Sequence, residues 1–128
     1  MTSLYPQGAA HLLGKATKVD LVADNIKLLF YAGSYVSANE FVSDLAGASI
    51  IARSGNLASK TVTNGVFDAA DLSVLAVTGA AFTHVIIYKD SGTDSSSPLV
   101  ANFDVASFAP TGGDITVVFN SSGLFAIA

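Results

Sequence analysis

The amino-acid sequence predicts an all-β domain: an antiparallel β-sandwich or barrel of about eight short strands, with one short helix and an N-terminal extension. Three observations lead there. Phe82 to Asp104 reads as two antiparallel strands joined by the polar run Ser91–Pro98. Short β-prone segments are separated by turn signals roughly every 8–12 residues, the spacing of sandwiches and barrels. Strands and helices do not alternate as a parallel sheet would require.

The first observation carries the most weight. Side chains alternate faces along a strand, so Phe82, His84, Ile86 and Tyr88 are expected on one face and Thr83, Val85, Ile87 and Lys89 on the other. Val85, Ile86 and Ile87 then place apolar groups on both faces, as in a central strand covered on both sides.

The remaining elements follow in order. Met1–Lys18 reads as an extension with a short helix: Pro6 suits a first turn, Ala9, Ala10, Leu12 and Leu13 follow, and Gly14 stops it. Two readings stay open, a terminal helix lying on the domain or an arm that docks on a neighbouring subunit. Asn25–Tyr31 is the first strand, with Ile26, Leu28 and Phe30 opposite Lys27, Leu29 and Tyr31; Gly33 and Ser34 break it. Ser37-Ala38-Asn39-Glu40 matches a capping box and predicts a short helix over Ser37–Leu45, with Phe41 and Leu45 as its buried stripe and Gly47 past its end. Glu40, the single glutamate, thereby has a structural role.

Ser49–Arg53 is a short strand. Lys60–Thr63 and Val66–Asp68 flank Asn64-Gly65, the signature of a two-residue type I′ hairpin. Asp71–Val77 is a further strand and Thr78–Ala80 a turn. After Pro110, the turn at Thr111-Gly112-Gly113 leads into Ile115–Phe119, and Ser121-Ser122-Gly123 into a closing strand over Leu124–Ile127. The apolar ending predicts a C-terminus built into a sheet or an interface. Residues 1–18 are read as the extension and residues 19–128 as one β domain.

Composition excludes several roles. Only 12 % of the 128 residues are charged, against about 25 % in ordinary domains. That leaves a neutral Ser, Thr, Gly and Ala surface suited to a subunit of an assembly. A net charge of −4 with six scattered basic residues argues against nucleic acid, which needs clustered Lys and Arg. With no cysteine, disulfides and thiolate metal sites are out. The longest uncharged run, Leu72–Tyr88, contains Ser73, Thr78, Gly79, Thr83 and His84 and falls short of the ~18 apolar residues of a spanning helix. The basic start and apolar block of a signal peptide are not seen, so no membrane is expected as a partner.

The search for chemistry assigns no catalytic, cofactor-binding or metal-ligating residue, and no cofactor. His11 and His84 lack zinc-binding spacing, and His84 in a strand interior reads as a core or interface residue. The loop Asp90–Ser95 offers two carboxylates but lacks the glycine and closing glutamate of a calcium loop. Asp68 and Asp71 form an acid–base pair only if buried. Gly112-Gly113 has no following helix to aim N–H groups at an anion. No enzyme is expected.

One resemblance adds to this reading. KTVTNGVFDAADLSVLAVTG (60–79), YKDSGTDSSSPLVANFD (88–104) and APTGGDITVVF (109–119) resemble a group of small tailed-bacteriophage proteins encoded among virion genes. The likeness spans most of the chain, from Leu4-Tyr5 through IKLLFY to Gly113-Asp114-Ile115-Thr116-Val117, and rests on strand and turn motifs. It transfers no catalytic residue. It implies a virion structural protein, foremost a head decoration (cement) protein that binds and stabilises the major capsid protein lattice. Such a protein is made in the host cytoplasm and placed on the capsid surface. A homo-oligomer is expected, a trimer being favoured. The alternative is a tail, fibre or baseplate component contacting host glycans, which exposed Tyr31, Tyr35 or Tyr88 on a loop face would favour. A non-viral β-sandwich binding module is the third reading.

Overall fold

The computed structural model describes residues 2–15, 18–63, 66–119 and 125–127. Among them the elements run β1 (Thr2–Leu4), α1 (Pro6–Leu13), β2 (Ile26–Tyr31), β3 (Ile50–Arg53), β4 (Thr61–Thr63), β5 (Val66–Asp68), β6 (Leu72–Val74), β7 (Phe82–Lys89), β8 (Leu99–Phe108), β9 (Ile115–Phe119) and β10 (Phe125–Ile127). All described pairings are antiparallel. A five-stranded sheet has the order β1-β8-β7-β2-β3, a three-stranded sheet β10-β9-β6, and β4 pairs with β5. The larger sheet runs from β1 to β3 without closing into a barrel.

Strands β2 and β7 lie at its centre in the register Leu28↔Ile87, Leu29↔Ile86 and Phe30↔Val85. Their alternation builds two separate apolar layers. Ile26, Leu28, Phe30, Val85 and Ile87 join Val100 from β8, and Val74, Ile115 and Val117 from the smaller sheet, so the two sheets share this core. On the other face Leu29, Tyr31, Ile86, Tyr88 and Leu99 pack with Tyr5, Val42 and Leu45. Each such side chain contributes about 1.5–3 kcal/mol on full burial. The expected two-sided strand is therefore present.

One residue departs from the expected alternation. Phe82 joins the face of Val85 and Ile87, where its ring stacks on Phe30 at 4.4 Å and packs on Phe108 at 5.5 Å. The cause is an irregularity: Phe82 pairs with Phe108 and His84 with Asp104, so two steps on β7 oppose four on β8. Extra residues in one strand increase local twist and re-aim side chains.

Among the described residues the single α-helix is α1, near the N-terminus. Pro6 occupies its first turn, where a missing N–H costs nothing, and Gly14 closes it in the left-handed region at φ 118°. The segment lies on its own chain. Thr2, Ser3 and Leu4 pair with Phe103, Asn102 and Ala101, and Tyr5 N–H donates to Val100 O at 3.0 Å. Gly8 lets the helix sit on the sheet, since a Cβ there would stand 2.3 Å from Leu99 O.

The helix expected over Ser37–Leu45 does not form. Ser37 and Ala38 lie in a turn, and only a 3-10 turn, Val42–Asp44, follows. The reason lies in the backbone partners. Leu99 N–H donates to Glu40 O at 2.8 Å and Val42 N–H to Ser97 O at 2.9 Å, so these groups pair across to the β7–β8 hairpin instead of along a helix. Asp44, not Ser37, caps the turn by accepting from the N–H groups of Glu40 and Phe41, both at 2.9 Å.

Strand β6 is shorter than the expected Asp71–Val77. Ala76 turns to φ 51° and its N–H donates to Asp114 Oδ1 at 3.0 Å, while Val77 exchanges backbone bonds with Gly113 and Gly112. Thr63 pairs with Val66, the register of a two-residue hairpin, and its Asn64-Gly65 turn lies outside the described residues. The expected turn at Ser121–Gly123 lies outside them as well. The closing strand is in a sheet: Phe125, Ala126 and Ile127 pair with Phe119, Val118 and Val117.

The close approach at Gly8 gives a direct test. Gly8→Ala should lower stability in urea unfolding by about 1–3 kcal/mol, because backbone oxygens cannot move aside as a side chain can. Gly47→Ala, with nothing within 4 Å of the added carbon, should be neutral or slightly stabilising.

Candidate functional site

Among the described residues, the candidate polar side chains meet in three places. The first is the loop joining β7 to β8. Asp90 meets Lys27 Nζ of β2 at 2.6 Å and accepts from Gly92 N–H at 2.9 Å. Asp94 accepts both arms of the Arg53 guanidinium of β3, at 2.7 and 2.8 Å. The Lys27 ammonium holds the Asp90 carboxyl below the usual range, and Arg53 does the same to Asp94. The hydroxyls answer one another: Ser97 Oγ donates to Thr93 O at 2.8 Å and accepts from Ser91 N–H at 3.0 Å. Both carboxylates that resembled a calcium loop are thus tied to cations of neighbouring strands.

The second place is His84, whose Nδ1 lies 3.0 Å from Asp104 Oδ1, within ion-pair distance; Asp104 Oδ1 accepts a hydrogen bond from Asn102 Nδ2 at 3.0 Å. The third is His11, buried under α1, with Nε2 2.9 Å from Glu40 Oε2; Lys15 Nζ donates to the same oxygen at 2.7 Å. Glu40 therefore does not close a capping box: its carboxylate joins α1 to the segment after β2. The Lys15 ammonium, seconded by His11, holds its carboxyl below the usual glutamate range.

The fold thus gives both histidines a carboxylate, which sequence spacing did not reveal. For His84 the hairpin was legible but the partner was not, since Asp104 comes opposite it through a register shift between Ile87 and Tyr88. For His11 no local pattern could have shown it, because Glu40 lies 29 positions away. Asp68 and Asp71 do not gather into an acid–base site: Asp68 Oδ1 accepts from Ala69 N–H at 2.9 Å, and Asp71 is exposed. Among the described residues no three His, Cys, Asp or Glu side chains converge as metal ligands, and no helix is long and apolar enough to cross a membrane.

The tyrosines lie together on the second face. Tyr5, Tyr31 and Tyr88 are buried, and Tyr35 is half-buried with its ring 5.0 Å from that of Tyr5. Tyr31 Oη accepts from Ala46 N–H at 3.1 Å. Burial pushes the Tyr88 phenol up. These rings brace the sheet, and Tyr31 and Tyr88 present no face to a ligand. Of the six basic side chains, Lys15, Lys27, Arg53, Lys60 and Lys89 each contact a carboxylate or carbonyl oxygen.

No protein-family model matches the chain, and a search of curated proteins also finds no match.

With both loop carboxylates held by cations, calcium has no ready site at Asp90–Ser95. Adding calcium and then a chelator should leave the melting temperature unchanged within about 1 °C. Breaking the clamp with Arg53→Ala should lower stability by about 0.5–1 kcal/mol, the scale of a half-exposed bidentate pair.

Proposed function

We propose that the protein is a non-catalytic structural component of a bacteriophage virion, a decoration (cement) protein that binds the major capsid protein lattice as a homo-oligomer. The observation that carries this reading is how the described polar groups are employed. Asp24, Glu40, Asp90 and Asp94 each meet a lysine or Arg53, and Asp44, Asp68 and Asp114 accept from backbone N–H groups, so these carboxylates are engaged at the loops and joints of the fold. What faces outward is the neutral, hydroxyl-rich surface of a chain that is 12 % charged. Such a surface suits broad, low-charge contact with another protein. The resemblance of 60–79, 88–104 and 109–119 to small virion proteins points the same way.

A decoration subunit gains little from one contact. Joining subunits makes later docking events intramolecular, so modest interfaces sum to tight binding. A closed ring of subunits matches the symmetric sites of a capsid, and a trimer is the preferred size. Binding the assembled shell better than its separated parts stabilises the shell. The glycan-binding alternative called for Tyr31, Tyr35 or Tyr88 clustered on an exposed loop face, and two of these three are buried.

Stained gels of purified virions test the proposal by copy number. Hundreds of copies per particle are expected for a decoration protein; a few to tens would move the protein to the tail. Light scattering of the isolated protein is expected to give the mass of a trimer, and a strict monomer that coats no isolated heads would count against the proposal.

A further inference from the structure

We propose that the tyrosine layer beneath the N-terminal segment binds a buried water molecule, held by the Tyr5 hydroxyl and shared with the phenols of Tyr31 and Tyr35. Tyr5 is 0 % exposed, and among the described residues its Oη has no hydrogen-bond partner in the protein. Its backbone is satisfied: Tyr5 N–H donates to Val100 O at 3.0 Å, and Tyr5 O accepts from Ala9 N–H at 2.8 Å. The hydroxyl alone is left over. Burying one with no partner costs roughly five- to a hundredfold in the folding equilibrium, and phenylalanine would bury the same ring without that cost. Buried polar groups that find no protein partner are ordinarily served by an ordered water making two to four polar contacts.

The neighbouring phenols offer the remaining contacts. The Tyr35 ring lies 5.0 Å from that of Tyr5, and Tyr35 Oη donates to Leu4 O at 3.4 Å, which leaves its oxygen free to accept. Tyr31 Oη accepts from Ala46 N–H at 3.1 Å, which leaves its O–H free to donate. Burial pushes the Tyr5 phenol well up, seconded by Tyr35 and Tyr31, so Tyr5 keeps its proton as a donor. A water that accepts from Tyr5 and Tyr31 and donates to Tyr35 satisfies all three. Leu29, Ile86 and Leu99 of the same layer have no polar side-chain atom to compete for it. Tyr5 comes from the junction of β1 and α1, Tyr31 from β2, and Tyr35 from the stretch after β2. The water therefore joins the N-terminal cover to the sheet through directed bonds, in a layer otherwise held by non-directional packing.

A crystal structure of the full chain should show an ordered water within about 3.2 Å of Tyr5 Oη and of a second phenol oxygen. Urea unfolding gives an independent readout. Tyr5→Phe should raise the unfolding constant about fivefold, as loss of a satisfied hydroxyl does. Tyr5→Phe combined with Tyr31→Phe should cost less than the product of the two single effects, by at least about twofold, because the first change already loses the shared water. Strictly multiplicative effects would overturn the sharing with Tyr31. The proposal fails if no water lies beside the Tyr5 hydroxyl or if that hydroxyl bonds directly to protein. It also fails if Tyr5→Phe is as stable as the native chain or more so, the result for a hydroxyl buried with no partner.

Discussion

The pairing of β2 with β7 is the constraint on which the rest of the structure depends. Leu28, Leu29 and Phe30 face Ile87, Ile86 and Val85 in consecutive register, and every one of these six side chains is buried. A strand pair apolar on both faces cannot stand at an edge or face water on either side. One face therefore needs a second sheet, supplied by β6, β9 and β10. The other needs a cover, supplied by the N-terminal segment and the turns after β2. The N-terminal segment and the irregular stretch from Gly33 to Ser49 follow from that need: they roof a hydrophobic face that, among the described residues, no further strand covers.

Electrostatics operate at the ends and joints of this frame. Lys27 and Arg53, on neighbouring strands, reach the two acidic residues of the β7–β8 loop and set its position. Lys89 Nζ lies 3.2 Å from Asp24 Oδ2 and donates to Lys18 O at 2.9 Å, which secures the entry to β2. Individually these exposed or half-exposed pairs stabilise little. Together they fix loops that have few apolar side chains of their own. A chain with ten acidic and six basic residues distributes most of its cations this way.

The central frame was legible in the sequence because its signal is local. IKLLFY and VII carry apolar side chains at consecutive positions, and Asn-Gly between β-prone runs marks a hairpin by its own geometry. The misreadings arose where distant backbone decided the outcome. Ser37 to Glu40 has the letters of a capping box, yet the Glu40 and Val42 backbone groups found partners at Leu99 and Ser97. Phe82 obeyed the alternation in the sequence but not in the sheet, because extra residues in β8 re-aimed it. Ala76 ended β6 early through Asp114, 38 positions away. The polar clusters were hidden for the same reason: no spacing rule links His11 to Glu40, and His84 meets Asp104 through a register shift between Ile87 and Tyr88 that the hairpin pattern alone does not show.

The proposed virion role would draw on a β frame whose charged side chains tie its loops in place. The central claim is that the core sheet is roofed on both sides, and adjacent residues of β2 test it. Leu28 belongs to the core shared by the two sheets and Leu29 to the layer under the N-terminal segment. Urea unfolding of Leu28→Ala and Leu29→Ala, measured side by side, should show each losing about 2–5 kcal/mol, the range for a fully buried leucine. A large loss for one and less than about 0.5 kcal/mol for the other, the value of an exposed position, would contradict a two-sided sheet.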